Sequence, residues 1–276
     1  MFDTSCPGPL KVSFRILHSA FESILEPLLT ALLILALAIS CPSRLSSQEG
    51  PALEWHLLYL KIRDRLISRE EARAKLKELE TMLKDSYRKN SDDKKEDRLI
   101  FPLAGYASNA IGGKRGSGYQ AQGYDFFDGN DHQGHPGHDI FILDRDQDGL
   151  DDVTGKPVEV MSASSGIVVS VNLNWEPSSP IRGGNYIWIY EPTTSRYFYY
   201  AHLGKVLVAV GQVVSKGDRL GMVGRTGVNA YSKRSSTHLH FTVLQSIDGY
   251  PKPINPYYQL LRISRELPLK NPLKNP

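Results

Sequence analysis

The sequence is poor in cysteine. Among its 276 residues there are two, Cys6 and Cys41, and none follows position 41. The chain beyond Cys41 therefore cannot close an internal disulfide, and it cannot bind a metal through thiolates. Any metal site downstream has to be built from histidine, aspartate and glutamate.

The chain also lacks internal repeats, a strong charge imbalance and a long apolar run. Its formal net charge of +3 is too small to predict binding to nucleic acid. The most apolar run, "LLTALLILALAI" at residues 28–39, is too short to span a bilayer comfortably. Lys11 and Arg15 precede it, as in a positive n-region. We expect an export signal; an uncleaved anchor or a buried helix is the alternative.

The apolar run ends in "AISC", where Ser40 stands directly before Cys41. This ending resembles a bacterial lipoprotein signal, in which the cysteine becomes the lipidated first residue of the mature chain. The resemblance implies a signal peptide over residues 1–41 and a lipid anchor at Cys41. The protein would then be exported to the cell envelope, held on a membrane and facing the periplasm.

Composition divides the rest of the chain. Residues 42–53 contain Ser, Pro and Gly and predict a tether. Residues 54–99 form a helical, charged segment and linker, because apolar residues recur at helical spacing among many charges, with a break near Ser68. A solvated spacer is the default interpretation of this helix; a dimerising coiled coil, a lid or a partner-binding surface are alternatives. Residues 100–263 form the main domain, and 264–276 form a tail.

The main domain consists of short β runs punctuated by turn residues, which predicts a mainly β fold with an antiparallel sheet or small barrel. In "THLHFTV", His238 and His240 are two apart, so both project from one face of a strand. The same rule puts Phe198, Tyr200 and His202 of "YFYYAHL" on one face. Buried imidazoles need hydrogen-bond partners, so several histidines in phase favour a site over a core.

A histidine and a carboxylate precede these strands. His135 and Asp139 flank "PGH", whose Pro136 and Gly137 favour a turn that leads into a strand. Together with one histidine from a distant strand, they would form a three-ligand nitrogen and oxygen site for Zn²⁺. Catalytic zinc sites leave the fourth position open. Because no thiolate is available, we expect an open site.

Three motifs now stand in order: "HPGHD", "YAHL" and "HLH". They resemble the HxxxD, YxHL and HxH motifs of the M23 family of zinc metallopeptidases, the LytM and lysostaphin type. The flanking "KPVEVMSASSGIVVSV" and "GQVVSKGDRLGMVGRTG" also resemble the family, so the resemblance covers about positions 101–258. It implies a barrel-like antiparallel β sandwich whose groove binds peptides of bacterial peptidoglycan and cleaves them.

Residue by residue, the resemblance implies that His135, Asp139 and His240 bind zinc and that His202 and His238 flank the bound water and the substrate carbonyl. Histidines titrate near neutral pH and suit proton transfer. We expect His202 to act as the main acid and base and His238 to stabilise the oxyanion, although the order could be reversed. Tyr200 is a candidate for the substrate groove or for the core. His132 and His138, outside the motifs, are expected to be bystanders.

The segment "DRDQDGLDDVTG" follows the first motif as an insertion. Alternating aspartates before a glycine resemble the first half of an EF-hand loop, but Gly155 replaces the bidentate glutamate at the twelfth position. The segment is therefore not an EF-hand. We expect a calcium-stabilised loop, with a solvated acidic turn as the alternative; its candidate ligands are Asp144, Asp146, Asp148 and Asp152.

Two rival functions remain at this stage. Some relatives of this fold have lost their ligands and act as envelope scaffolds or as activators of other hydrolases. A helical segment that binds a protein partner would suit that role, but every ligand position is retained here. The stretch "VAVGQVVSKGDRLGMVG" also resembles a lipoyl or biotinyl carrier, which needs a modifiable lysine at a hairpin tip with its flanking motif, and no such motif is evident.

Overall fold

The structure is a computed structural model that describes residues 49–88, 98–232 and 235–266. The predicted signal with Cys41, most of the predicted tether and the end of the tail lie outside the described residues. Within them, the fold consists of ten strands and three α-helices, joined by three short 3-10 helices.

The strands form two antiparallel sheets. In chain order they are β1 (Gly137–Phe141), β2 (Glu159–Met161), β3 (Gly166–Asn172), β4 (Tyr186–Glu191), β5 (Arg196–Ala201), β6 (Leu203–Val206), β7 (Val213–Val214), β8 (Arg219–Val223), β9 (His238–Ile247) and β10 (Tyr250–Ile254). The larger sheet runs β1-β9-β5-β4-β3-β7, with β10 also paired to β9, and the smaller sheet runs β2-β8-β6. The predicted antiparallel β fold is confirmed, and neither sheet closes into a barrel among the described residues.

The centre of the larger sheet is buried on both faces, which explains why β4 reads "YIWIYE" with every residue buried. One face packs toward the smaller sheet through residues such as Ile187, Phe198 and Phe241. The opposite face carries Trp188, Tyr197 and other aromatic side chains. β-branched and aromatic side chains favour strands because they pack well on a pleated surface.

Two helices precede the sheets and form a hairpin: α1 spans Glu49–Arg63 and α2 spans Arg69–Arg88. Arg65 has a φ of 56°, the left-handed conformation common just after a helix end. Ser68 then caps α2 by accepting a hydrogen bond from the Glu71 N–H at 3.2 Å. The helical pattern and its break near Ser68 agree with the sequence prediction, but α1 begins at Glu49, inside the predicted tether of residues 42–53.

The helical hairpin packs on the aromatic face of the larger sheet and is not a solvated spacer. Trp55 is fully buried in one cluster with the strand residues of that face. Its Nε1–H donates to Tyr197 Oη at 3.0 Å, and the Tyr197 hydroxyl donates to Glu80 Oε1 at 2.8 Å. Charged residues occupy much of the remaining helix surface, so the sequence pattern alone favoured a solvated spacer. A third helix, α3, spans Tyr257–Glu266.

Within the part of the chain that the structure describes, no helix combines the length and the apolar character needed to cross a membrane.

Candidate active site

Pairing between β1 and β9 assembles the candidate metal ligands. Asp139 lies directly opposite His240 in this antiparallel pair, so both side chains project from the same face. Gly137 lets the backbone of β1 lie close to the His240 ring, because a Cβ at this position would lie 2.8 Å from His240 Nε2. His135 stands just before β1 and exchanges two backbone hydrogen bonds with Gln120, at 2.8 and 2.6 Å.

Three potential ligand atoms converge at this point. Asp139 Oδ1 lies 3.1 Å from His135 Nε2 and 2.9 Å from His240 Nδ1. One ligand atom from each of these residues falls within 4.8 Å of the others. Neighbouring ligands in a tetrahedral zinc site stand about 3.3 Å apart when the bonds are about 2.0–2.1 Å long. The spacing therefore fits a zinc ion.

Both histidines are also oriented by a second bond, as metal-binding histidines usually are. His135 Nδ1–H donates to the Gly118 carbonyl at 2.8 Å, which directs Nε2 toward Asp139. His240 Nε2 contacts Thr242 Oγ1 at 2.9 Å, which directs Nδ1 to the same point. Burial alone would raise the pKa of Asp139, but its contacts with His135 and His240 hold that pKa well below its usual range. The two histidine nitrogens and the Asp139 carboxylate are thus oriented and charged in a way that favours binding of a cation.

His202 and His238 border this cluster. The ring centroid of His202 lies 4.9 Å from that of His238 and 5.9 Å from that of His240. His238 Nε2 is 3.7 Å from Asp139 Oδ1. The expected shared face of His238 and His240 is therefore correct, and the four histidines and Asp139 form one constellation.

His202 reaches the constellation by a route that strand periodicity does not predict. Strand β5 ends at Ala201, and His202 has a φ of 65°, in the left-handed region that non-glycine residues rarely adopt. This turn sends His202 to the face of His240, whereas Phe198 and Tyr200 stay on the other face. The expectation that all three share one face is wrong. Such backbone strain persists where surrounding structure over-determines it, commonly at functional sites.

Tyr200 is a core residue and not part of the groove. It is fully buried between the sheets, and its Oη accepts a hydrogen bond from the Ala163 N–H at 2.9 Å. The groove alternative for Tyr200 is therefore corrected: the hydroxyl satisfies a backbone donor in the core. The tyrosine that faces the site is Tyr199, whose ring centroid lies 6.2 Å from that of His240.

Hydrogen bonds set the tautomers of the two flanking histidines. His202 Nδ1 lies 2.8 Å from the Thr226 carbonyl and His238 Nδ1 lies 2.7 Å from the Ser236 carbonyl. A carbonyl only accepts, so each Nδ1 carries the proton and each Nε2 offers a lone pair in the neutral ring. Burial, followed by the neighbouring histidines, lowers the pKa of His202 to about 3. His202 is thus held as a neutral hydrogen-bond acceptor.

The two histidines expected to be bystanders differ. His138 is buried on the far side of β1, where its Nε2 contacts Asn255 Oδ1 at 2.8 Å, away from the site. His132 instead lines a cavity that His240 also lines, together with Arg182. Sequence reasoning missed this environment because His132 and Arg182 lie outside every motif. It also missed Thr242, which the period-two rule places on the face of His240.

The aspartate insertion forms a compact turn. Asp144, Asp146 and Asp152 can bring one carboxylate oxygen each to within 4.8 Å of one another. Asp148 is not part of that group; its Oδ1 accepts from the Leu150 N–H at 2.7 Å. Asp144 is buried and accepts from the Gly149 N–H at 2.9 Å. Three of the four expected carboxylates therefore cluster, and calcium binding stays a prediction.

Comparison with known families decides which group of proteins this site resembles. Residues 145–256 match peptidase family M23. The resemblance inferred from the motifs is thereby confirmed, and it supports a hydrolase of the metallopeptidase class. The M23 match contains His202, His238 and His240 but begins after His135 and Asp139. The pairing of β1 with β9 places Asp139 opposite His240, and His135 stands just before β1.

Two solved peptidase structures are similar to part of this chain. A zinc-containing peptidase from Vibrio cholerae is 25% identical, with 56% of this chain and 39% of that chain covered and a TM-score of 0.36. The catalytic domain of the antimicrobial peptidase lysostaphin from Staphylococcus simulans is 28% identical, with 48% and 80% covered and a TM-score of 0.32. This chain thus spans well under half of the Vibrio peptidase. No curated protein matches it significantly.

Proposed function

We propose that this protein is a zinc-dependent endopeptidase that hydrolyses peptide bonds in the cross-links or stem peptides of bacterial peptidoglycan. One observation carries the proposal: Asp139 and four histidines converge on one face of the sheet, and three of these residues have the spacing of a zinc ligand set. The M23 match supports the peptidase class, and the substrate class follows from the family resemblance.

Each residue has a distinct part in the proposed reaction. His135, Asp139 and His240 would hold the zinc ion. When bound, zinc lowers the pKa of a coordinated water to about 7 and polarises a carbonyl. The His202 ring, anchored by Nδ1 on the Thr226 carbonyl, presents Nε2 to accept a proton and later to return it to the leaving amine. Once protonated, His238 can donate Nε2–H to the oxyanion; Nδ1 stays bonded to the Ser236 carbonyl.

The test separates metal binding from turnover. The parent protein should bind about one zinc per chain, as expected of one three-ligand open site, and should cleave purified muropeptides with a product of defined mass. His240→Ala should lose both zinc and cleavage. His202→Ala should retain zinc and lose cleavage.

His56→Ala is the matched control, because His56 lies on α1 and contacts Ser170 Oγ at 2.8 Å, away from the site. It should keep both zinc and cleavage. Cleavage by His240→Ala at the parent rate would refute the proposed site. A parent that binds zinc but cleaves no muropeptide would support the rival function of a non-catalytic envelope scaffold.

The proposed substrate requires the protein to reach the cell envelope, and we propose lipid anchoring at Cys41 as the means. The support is the apolar run that ends in "AISC", which lies outside the described residues. Acyl chains contribute about 0.8 kcal/mol for each buried methylene, so several chains hold a protein firmly on a membrane. Cys41→Ser should release the protein to the soluble fraction or leave an unprocessed precursor. Unchanged fractionation and mass in that variant would exclude lipidation.

A further inference from the structure

A cavity adjoins the candidate metal centre. Its volume is about 60 Å³, and its walls include the ligand His240 and the partner of that ligand, Thr242. A water molecule needs about 10–15 Å³ measured in this way, so the cavity accommodates a group of a few heavy atoms. A group that binds in the cavity therefore lies next to the metal ligand His240.

The charge of the cavity wall has one sign. Arg63 and Arg182 line it, and none of its lining residues is aspartate or glutamate. Arg182 is half-buried, and its Nη1 donates to the His132 carbonyl at 2.8 Å. Among the described residues, no carboxylate oxygen lies within 4.0 Å of its guanidinium nitrogens. A partly desolvated guanidinium with spare donors favours an anionic, bidentate acceptor.

Arg63 is the second cation of the wall. Its side chain is 15% exposed and forms a bidentate pair with Asp64, in which Nε–Oδ1 and Nη2–Oδ2 are both 2.8 Å, although Asp64 is not part of the wall. Asp64 therefore offsets most of the Arg63 charge, and Arg182 is the main cation of the wall. The cavity therefore has the electrostatic character of an anion site beside the metal centre.

The cavity is also the point at which the open face of the sheet ends. Along β9, His240, Thr242 and Leu244 project from the same face, about 6.8 Å apart in each step of two residues. His240 belongs to the metal centre and Thr242 to the cavity wall, while Leu244 is fully buried under the helical hairpin. An extended peptide bound along these strands can therefore continue for about two residues beyond the metal centre on this side.

The wall that closes this side is firmly attached. Gly129 of the loop before β1 has a φ of 56°, and a Cβ there would lie 2.6 Å from the Arg63 carbonyl oxygen, so loop and helix end are in direct contact. Ion pairs join the same two segments: Arg65 with Asp131 at 3.0 Å and Arg69 with Asp125 at 2.8 Å. The end of the groove is thus part of the folded domain.

We propose that this cavity binds a free carboxylate of the peptide substrate, with Arg182 as its main partner and Arg63 as the second. The inference rests on the proposed peptidase function and adds a specificity to it. The carboxylate lies within about two residues of the cleaved bond, because the cavity is two residues along β9 from His240. It can come from the end of the peptide chain or from an acidic side chain, since both present the same planar acceptor.

The experiment compares matched peptides on the zinc-loaded full chain. One pair differs only in a terminal carboxylate or carboxamide, and a second pair, amidated at the end, differs only in glutamate or glutamine near the cleaved bond. The readout is the ratio of kcat/KM for acid over amide within each pair. The parent should prefer the acid by about tenfold or more in at least one pair, as expected of a hydrogen-bonded ion pair of low exposure.

Arg182→Gln should bring that ratio close to one. Arg182→Lys keeps the charge but not the planar fork, so it should retain part of the preference. Arg262→Gln, the same charge change at an exposed position of α3, should retain all of it. The responding pair identifies the source of the carboxylate. A parent ratio near one in both pairs, or an undiminished ratio in Arg182→Gln, would overturn the proposal.

A binding measurement keeps this test independent of catalysis. Titration of the zinc-loaded parent with N-acetylalanine should give binding at least about tenfold tighter than with its amide. Because any contribution of zinc is common to all variants, the loss of that difference in Arg182→Gln, with unchanged zinc content, assigns it to the cavity. If Arg182→Gln does not fold, Arg63→Gln and Arg182→Lys should each show a partial loss. Equal binding of acid and amide to the parent would refute the site even if no peptide is cleaved.

Discussion

Replacing Trp55 with alanine should destabilise the whole domain, because this side chain joins the helical hairpin to the larger sheet. Trp55 is fully buried, and its ring centroid lies 5.3 Å from that of Tyr197 and 6.2 Å from that of Trp188. Its Nε1–H also donates to the Tyr197 hydroxyl at 3.0 Å. The change therefore removes apolar contacts on the sheet together with one buried hydrogen bond.

The expected magnitude follows from the buried surface. A buried aromatic side chain removes about 150–250 Å² from water, which at about 25 cal/mol per Å² corresponds to about 4–6 kcal/mol. Tryptophan-to-alanine changes in cores lower the free energy of unfolding by about 3–5 kcal/mol. We expect a loss of about 3–5 kcal/mol, a large share of the stability of a typical domain.

Denaturant unfolding followed by far-ultraviolet circular dichroism and by tryptophan fluorescence measures this loss. Leu57→Ala is the matched control on the same helix, because Leu57 is 51% exposed, and it should change stability by no more than about 0.5 kcal/mol. The parent should unfold in one transition. A loss under about 1 kcal/mol in Trp55→Ala, or an early separate unfolding of the helices, would refute a shared core.

Two further predictions concern charged groups outside the metal centre. Burial raises the pKa of Glu80 above its ordinary value of 4.5, so the folded state binds a proton that the unfolded state releases. The parent should therefore lose stability as the pH rises from 4.5 through the raised pKa, and Glu80→Gln should remove that component in denaturation curves measured across this range. Calcium at a hundred times its dissociation constant would stabilise the aspartate turn by about 2.7 kcal/mol and raise the melting temperature of zinc-loaded protein. Asp146→Asn should abolish the increase, and no calcium response in the parent would reduce the segment to a solvated acidic turn.

Much of the candidate site could be predicted because its signals are local. A spacing of two on a strand places His238 and His240 on one face, and the turn residues before Asp139 lead into a strand. The sequence motifs, including the one that contains His135 and Asp139, resemble the M23 family. The family match itself covers only residues 145–256, which follow Asp139. The helical hairpin was likewise visible as a periodic pattern, with Ser68 at its break.

Other features depend on contacts between distant segments. Strand periodicity assigned His202 to the face of Tyr200, but its left-handed backbone conformation turns it to the opposite face. A single φ angle of this kind is determined by the surrounding packing and not by the residue type. The calcium candidates show the same limit, since the folded turn directs Asp148 to a backbone N–H and away from the other carboxylates.

The sequence by itself determined the mainly β character with an N-terminal helical part, the absence of thiolate ligands after Cys41 and the histidine and aspartate motifs, because these depend on residue type and short-range spacing. Only the tertiary structure decided that the helical hairpin covers one end of the groove, because the apolar stripe of a helix shows that it packs and not where. It also decided that Arg63 and Arg182, which are 119 positions apart in the sequence, line one cavity beside His240. The interaction energy of charges that meet across a fold depends on their distance in space and on their burial. Neither quantity can be deduced from the local sequence.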